Sequence, residues 1–138
     1  MLVMKFGGTS VGSIDAFAAV SKIVAEKVQQ QSKTKRPGVV VVTSAMSGVT
    51  NMLIDAAQKS AKGNAAAAKE MISTLRQKHM QVLDHFIKDP SERQPIVEHL
   101  EAKLNDLDRI CGGIAVLGEL TPRGNDLVSG LGERINAP

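Results

Sequence analysis

Two spacings of apolar residues occur along the chain, one typical of strands and one typical of helices. Residues 2–6 form a short apolar run around a lone lysine, and residues 39–42 are four consecutive valines, so both favour β-strands. Between them, apolar residues recur every three or four positions and predict a helix over residues 14–31 that follows an N-cap at Ser13. The buried side of this helix is predicted to carry Phe17, Val20, Val24 and Val28.

The order strand, helix, strand predicts a βαβ unit with parallel strands and a right-handed crossover. Because residues 39–42 are apolar on both faces, we expect the second strand to lie in the centre of a sheet that is covered on both sides. The predicted fold class is therefore α/β.

Helical spacing dominates the rest of the chain. Apolar stripes on each side of Asp89-Pro90-Ser91 predict two helices joined by a short turn, a helical hairpin over about residues 64–117. We expect this hairpin to cover one end of a site or to contact a partner subunit. Thr121 and Pro122 begin a last helix, which we expect to continue to Ile135. The predicted helices before it span residues 52–62 and 65–88, and a third begins at Ser91 or Pro95 and ends at Leu117.

The composition narrows the functional classes. The chain has 138 residues, enough for one globular domain, and its core must be aliphatic because it has three Phe and no Tyr or Trp. The net charge of +3 is small and the only dense basic run is residues 33–36, so nucleic-acid binding is not expected. No apolar stretch approaches the roughly 20 residues that span a bilayer, and no signal peptide is evident. We therefore expect a cytoplasmic protein without membrane contact.

Metal and disulfide chemistry are not predicted from the side chains. Cys111 is the single cysteine, which excludes an intrachain disulfide, and a small buried thiol is its simplest interpretation. His79, His85 and His99 lack the spacing of a ligand set, so we interpret them as surface or half-buried histidines.

The first ten residues combine groups that suit an anion. Lys5 lies in the first strand, Gly7 and Gly8 end it, and hydroxyl donors follow at Thr9 and Ser10. Glycines let backbone N–H groups approach a phosphate, and a helix N-terminus contributes about half a positive charge. The same residues also suit a buried strand with an extended lysine and an ordinary glycine turn. On these residues alone, both interpretations stay open.

Two further segments carry related chemistry. Residues 44–51 follow the second strand and combine small residues with hydroxyls before a helix start. Ligands of open α/β sheets bind at the carboxyl ends of the strands, where this segment and the glycine turn are both expected. The third segment, residues 131–134, is Leu-Gly-Glu-Arg.

In order and spacing, these segments resemble those of the aspartate kinases, which belong to the amino acid kinase family. They are Lys-Phe-Gly-Gly-Thr-Ser at 5–10, Ser-Ala-Met-Ser-Gly-Val-Thr-Asn at 44–51 and the Leu-Gly-Glu-Arg segment. The resemblance covers the whole chain and implies the N-terminal half of a three-layer α/β/α sandwich with a mainly parallel sheet. It also implies that residues 1–138 are the N-terminal portion of a longer catalytic domain, so we expect this chain alone to be inactive.

The resemblance implies a role for each site residue. Lys5 would be catalytic and neutralise charge on the transferring phosphoryl group, because such transfers depend on positioning and electrostatics. Glu133 would hold the ammonium group of L-aspartate. The other implied contacts are Gly7, Gly8, Thr9 and Ser10 with the phosphates of ATP, and Ser44 and Thr50 with aspartate. The implied reaction is phosphorylation of the aspartate β-carboxylate by ATP with Mg²⁺, the first step towards lysine, threonine and methionine, in a homo-oligomeric enzyme.

Alternatives exist for several of these assignments. Thr50 and Asn51 also suit helix capping, and Glu133 also suits an exposed surface charge. Arg134 either orients Glu133 or faces solvent. The functional alternatives are a kinase for another amino acid, and a non-catalytic chain that binds substrate or phosphate weakly or only self-associates. A dinucleotide-binding unit is disfavoured because the glycine pair lacks the G-x-G-x-x-G spacing.

Overall fold

The computed structural model describes residues 1–137, which form a two-stranded parallel sheet, a 3₁₀ turn and six helices. The strands are β1 (Leu2–Phe6) and β2 (Val39–Thr43), and the 3₁₀ turn spans Gly8–Val11. The helices are α1 (Ile14–Ser32), α2 (Val49–Ala61), α3 (Ala65–Phe86), α4 (Pro90–Leu117), α5 (Pro122–Ser129) and α6 (Leu131–Asn136).

β1, α1 and β2 form the predicted unit of two parallel strands joined through a helix. The strands pair from Leu2 beside Val39 to Phe6 beside Thr43. α1 begins where the sequence predicts, because the side chain of Ser13 accepts a hydrogen bond from the backbone N–H of Ala16 at 3.2 Å. The α/β fold class is confirmed.

The sheet is less covered than predicted. Val40, Val41 and Val42 are 45%, 43% and 44% exposed, so the expectation of a strand covered on both sides is wrong for the described residues. α1 contacts β2 but has no fully buried side chain, and Val28 on its predicted buried side is 48% exposed. The apolar side chains of β2 and α1 are therefore only partly buried by the rest of residues 1–137.

The hydrophobic core lies mainly among α2, α3 and α4, which contact one another in pairs. Each of these helices turns an apolar stripe inwards, and aliphatic side chains fill the space between them, as the composition predicts. Cys111 belongs to this core, where burial raises the pKa of its thiol. Among the innermost side chains are Leu53, Leu75, Leu104 and Leu107.

α3 and α4 form a helical hairpin joined by residues 87–89. Asp89 caps α4 by accepting the backbone N–H of Ser91 at 2.8 Å. On the outer surface, the Arg76 guanidinium donates two hydrogen bonds to the Glu101 carboxylate, at 2.7 and 2.9 Å. This bidentate pair raises the pKa of Arg76 and lowers the pKa of Glu101. α3 and α4 are thus joined by an ion pair as well as by the core.

The last predicted helix is in fact two helices. Thr121 caps α5 as predicted, accepting the backbone N–H of Gly124 at 3.1 Å. The prediction of one continuous helix to Ile135 is wrong, because α5 ends at Ser129 and α6 begins at Leu131. Gly130 separates them, and glycine has the lowest helix propensity of any residue except proline. Throughout residues 1–137, no helix has both the length and the apolar character that crossing a bilayer requires.

Candidate functional site

Lys5 lies on the open face of the sheet. Successive side chains of a strand point to opposite faces, and along β1 the exposed positions are Val3 and Lys5. In the strand register Lys5 lies beside Val42, which is also exposed. The lysine therefore extends from an apolar surface close to the carboxyl end of both strands.

Gly7 and Gly8 serve the turn after β1 in different ways. A Cβ atom on Gly8 would lie 2.9 Å from the carbonyl oxygen of Ala45, so only glycine fits there without a shift. A Cβ atom on Gly7 would meet nothing within 4 Å, which leaves the backbone at that position open to a ligand. The hydroxyls of Thr9 and Ser10 lie in the 3₁₀ turn. The 3₁₀ turn lies between the glycines and α1, which begins at Ile14 as predicted.

The loop after β2 is joined to the end of β1. The backbone N–H of Ser44 donates to the carbonyl of Phe6 at 3.2 Å, which extends the strand pairing into the loop. Ala45 and Met46 are buried and anchor the loop, whereas Ser44 is only half-buried. Ser44 is therefore held at the carboxyl end of the sheet, next to the glycine turn.

Thr50 lies in the first turn of α2. The N-cap of α2 is Gly48, which has a left-handed φ of 81°, and no side chain caps this helix. The alternative role of Thr50 and Asn51 as helix caps is therefore wrong. Thr50 is half-buried and Asn51 is exposed, so Thr50 is the more enclosed of the two.

Glu133 lies on α6 next to Gly132, which packs tightly against the second loop. Gly132 is buried, and a Cβ atom on it would lie 2.7 Å from the Cβ atom of Ala45. Glu133 and Arg134 are exposed, so exposure alone does not separate a ligand contact from a surface charge. The carbonyl of Arg134 lies 2.6 Å from Nε2 of His99, which must carry a proton to donate this hydrogen bond.

The three segments singled out in the sequence meet at Ala45. Gly8 from the first segment and Gly132 from the third both approach this residue more closely than a larger side chain permits. Gly12 makes a similar approach, since a Cβ atom on it would lie 2.9 Å from the Cβ atom of Ser47. The glycine turn, the second loop and the helix of Glu133 therefore form one continuous corner. Sequence reasoning found the segments but not these contacts.

Sequence reasoning also missed Asn136. Its Nδ2 donates a hydrogen bond to the carbonyl of Ser44 at 2.7 Å and lies 3.3 Å from Oγ1 of Thr43. Asn136 and Ser44 lie 92 positions apart in the sequence, so no local pattern indicates the pairing. The contact ties the end of α6 to the end of β2.

A separate polar group, the imidazole of His79 on α3, has one buried nitrogen. Nδ1 of His79 lies 2.7 Å from the carbonyl of Leu75, and its Nε2 is buried without a hydrogen-bond partner. Burial lowers the pKa of His79, so the imidazole is neutral at pH 7. It lines an apolar cavity of about 240 Å³, which Met46 and Asn136 also border. Within the described part of the chain, no group of three or more His, Cys, Asp or Glu side chains is placed to hold a metal ion.

Comparison with known proteins gives one consistent result. The chain matches the amino acid kinase family over residues 1–138. It is 31% identical to an aspartokinase of Schizosaccharomyces pombe, covering 98% of this chain and 26% of that protein. The figures for an aspartokinase of Saccharomyces cerevisiae are the same. The chain thus spans about a quarter of the length of these relatives.

Similarity to solved structures agrees with the sequence comparisons. The fold matches Escherichia coli aspartokinase III in complex with aspartate and ADP, with a TM-score of 0.73 and 25% identity. The match covers 98% of this chain and 26% of that chain. The same enzyme in complex with lysine and aspartate matches with the same TM-score.

Proposed function

Because the chain belongs to the amino acid kinase family, we propose that it supplies the phosphate-binding corner and the aspartate contacts of an aspartate kinase. The observation that carries the proposal is the meeting of three segments at Ala45, two of them through glycines that leave no room for a Cβ atom. The aspartokinase relatives, and the similar enzyme solved with aspartate and ADP, support the choice of substrates. Since the chain spans 26% of those proteins, the proposal concerns the complete gene product.

The proposed reaction is phosphoryl transfer to a carboxylate. An oxygen of the aspartate β-carboxylate attacks the γ-phosphorus of ATP, the bond to the β,γ-bridging oxygen breaks, and ADP leaves. Little covalent chemistry falls to the protein, so the rate depends on orienting the two substrates and neutralising the charge between them. The products are 4-phospho-L-aspartate and ADP.

The nucleotide phosphates are assigned to the turn after β1. The open backbone at Gly7 offers an N–H group, and the hydroxyls of Thr9 and Ser10 add donors within the same turn. Gly8 contributes by its close contact with Ala45, which fixes the turn against the second loop. Lys5 is assigned the catalytic charge, because a preorganised cation beside the transferring group stabilises the transition state more than the ground state.

Aspartate is assigned to the second loop and α6. The hydroxyls of Ser44 and Thr50 suit a carboxylate, and the anionic side chain of Glu133 suits the ammonium group. The close contacts at Ala45, which join these elements, support a substrate position next to the proposed phosphate corner. Mg²⁺ is expected to enter with ATP. The described residues do not by themselves make a metal site, so no step is assigned to the metal.

The proposed biological role is the first step of lysine, threonine and methionine biosynthesis, carried out in the cytoplasm by a homo-oligomer. The names of the relatives support the reaction on which this role depends.

The test is a coupled assay of the complete gene product with ATP, Mg²⁺ and three acceptors side by side: aspartate, glutamate and N-acetylglutamate. We expect turnover with aspartate only. Lys5→Ala should lower turnover by about a hundredfold or more, a typical cost of losing one preorganised electrostatic partner. Lys22→Ala, which removes an exposed lysine of α1, is the matched control and should leave turnover unchanged.

Two results would contradict the proposal. Turnover with glutamate or N-acetylglutamate in place of aspartate would indicate another kinase of the same family. Equal turnover in the Lys5→Ala and Lys22→Ala variants would remove the catalytic role of Lys5.

A further inference from the structure

α6 is too short to hold its own position. It spans Leu131–Asn136, and no side chain caps its N-terminus at Gly130. Isolated helices of fewer than about 12 residues are marginal in water, so tertiary contacts must determine where α6 lies. Any residue carried by α6, including Glu133, is positioned by those contacts.

Contacts on two sides hold α6. On its inner side, Leu131, Gly132 and Ile135 are buried, and Gly132 rests on Ala45. From α4, His99 holds the carbonyl of Arg134 at 2.6 Å. The contact at Ala45 borders the second loop, but neither contact is a hydrogen bond to Ser44, which the proposed function assigns to aspartate.

Asn136 makes the hydrogen bond to Ser44. Residues three apart on a helix lie on the same side, so Asn136 and Glu133 are neighbours on the surface of α6. The amide of Asn136 donates to the carbonyl of Ser44 at 2.7 Å and lies 3.3 Å from the hydroxyl of Thr43. The tether at Asn136 therefore limits the rotation of α6, and with it the direction in which the exposed side chain of Glu133 leaves the helix.

We propose that Asn136 is a positioning residue for substrate binding: its side-chain amide, bonded to the Ser44 carbonyl, holds Glu133 over the carboxyl end of β2. This inference rests on the proposed function, in which Glu133 binds the ammonium group of aspartate. Asn136 itself touches no substrate. Its effect passes through Glu133, and it therefore acts on aspartate and not on ATP.

The test uses Asn136→Asp in the complete gene product, because aspartate keeps the shape of asparagine but has no N–H to donate. Asn105→Asp, at an exposed position of α4, is the control with the same change of charge. We expect Asn136→Asp to raise the KM for aspartate about fivefold or more, the range for one lost hydrogen bond, with the KM for ATP unchanged. Asn105→Asp should change neither constant.

A double-mutant cycle separates positioning from a general loss of structure. If Asn136 acts through Glu133, adding Asn136→Asp to Glu133→Gln should not raise the KM for aspartate further. Additive effects of the two substitutions, or an equal rise of both KM values in Asn136→Asp, would overturn the inference.

A readout without activity separates failure of this inference from failure of the proposed function. If the complete gene product does not phosphorylate aspartate, the proposed function fails. Hydrogen exchange then tests whether the bond between Asn136 and Ser44, the tether, holds α6 in place. The rate is measured at the amide of Ala137, which donates to the Glu133 carbonyl at 3.0 Å. Faster exchange in Asn136→Asp than in Asn105→Asp would support the tether, and equal exchange would overturn it.

Discussion

Replacing Gly132 with alanine tests the contact at Ala45 directly. The added methyl group would lie 2.7 Å from the Cβ atom of Ala45 and 3.4 Å from side-chain carbons of Val49 and Leu53. Carbon atoms in favourable contact lie about 3.5–4.0 Å apart, and all three neighbours are fully or almost fully buried. Overfilling such a site typically costs about 1–3 kcal/mol.

Replacing Gly132 with alanine also increases helix propensity, which stabilises the protein, so a control must measure this contribution separately. Alanine stabilises a helix by about 1 kcal/mol relative to glycine. Gly113→Ala in α4 has this term without the clash, because a Cβ atom there would meet nothing within 4 Å. The free energy of unfolding of Gly132→Ala should therefore be about 1–3 kcal/mol below that of Gly113→Ala. Denaturant unfolding followed by circular dichroism measures both. Equal stability, or a more stable Gly132→Ala, would refute the close contact.

Three other perturbations test separate parts of the structure. Glu133→Gln should raise the KM for aspartate more than the KM for ATP in steady-state kinetics, and an effect on ATP alone would count against an ammonium contact. Because burial lowers the pKa of His79 below its ordinary 6.5, the unfolded chain binds more protons. The free energy of unfolding should then decrease as pH falls below about 6.5, and His79→Leu should flatten this dependence; an unchanged slope would contradict the burial. In the 138-residue chain, the double substitution Val40→Lys and Val42→Lys should shift sedimentation towards monomer, since exposed apolar strands promote association. An unchanged size distribution would show that the sheet face does not drive association.

The predictions that held concern single helix turns and one βαβ unit. Ser13 and Thr121 are caps because each side chain reaches a backbone N–H within its own helix turn. The pairing of β1 with β2 follows from two strand-forming runs separated by a helix. Local chemistry decides these features, so the sequence alone predicts them.

Most of the features that the sequence does not predict depend on residues far apart in it. The valines of β2 predict a covered strand, yet three of them are exposed. The apolar character of a strand indicates that its burial is favourable but does not identify the element that covers it. The alternative of Thr50 as a helix cap fails for a local reason, because Gly48 takes that role through a left-handed φ. Asn136 had no local pattern at all, because its partner lies 92 positions away. For the same reason the site segments were predicted, but their meeting point was not.

The division between the helical core and the site has a consequence for the order in which the chain folds. α2, α3 and α4 are consecutive, and elements close in sequence find one another faster than distant ones. The site closes only when Gly8, near one end of the described chain, and Gly132, near the other, reach Ala45. We expect the helical core to form in the folding transition state and the site to form after it. Gly132→Ala and Asn136→Asp should then accelerate unfolding while leaving the refolding rate almost unchanged.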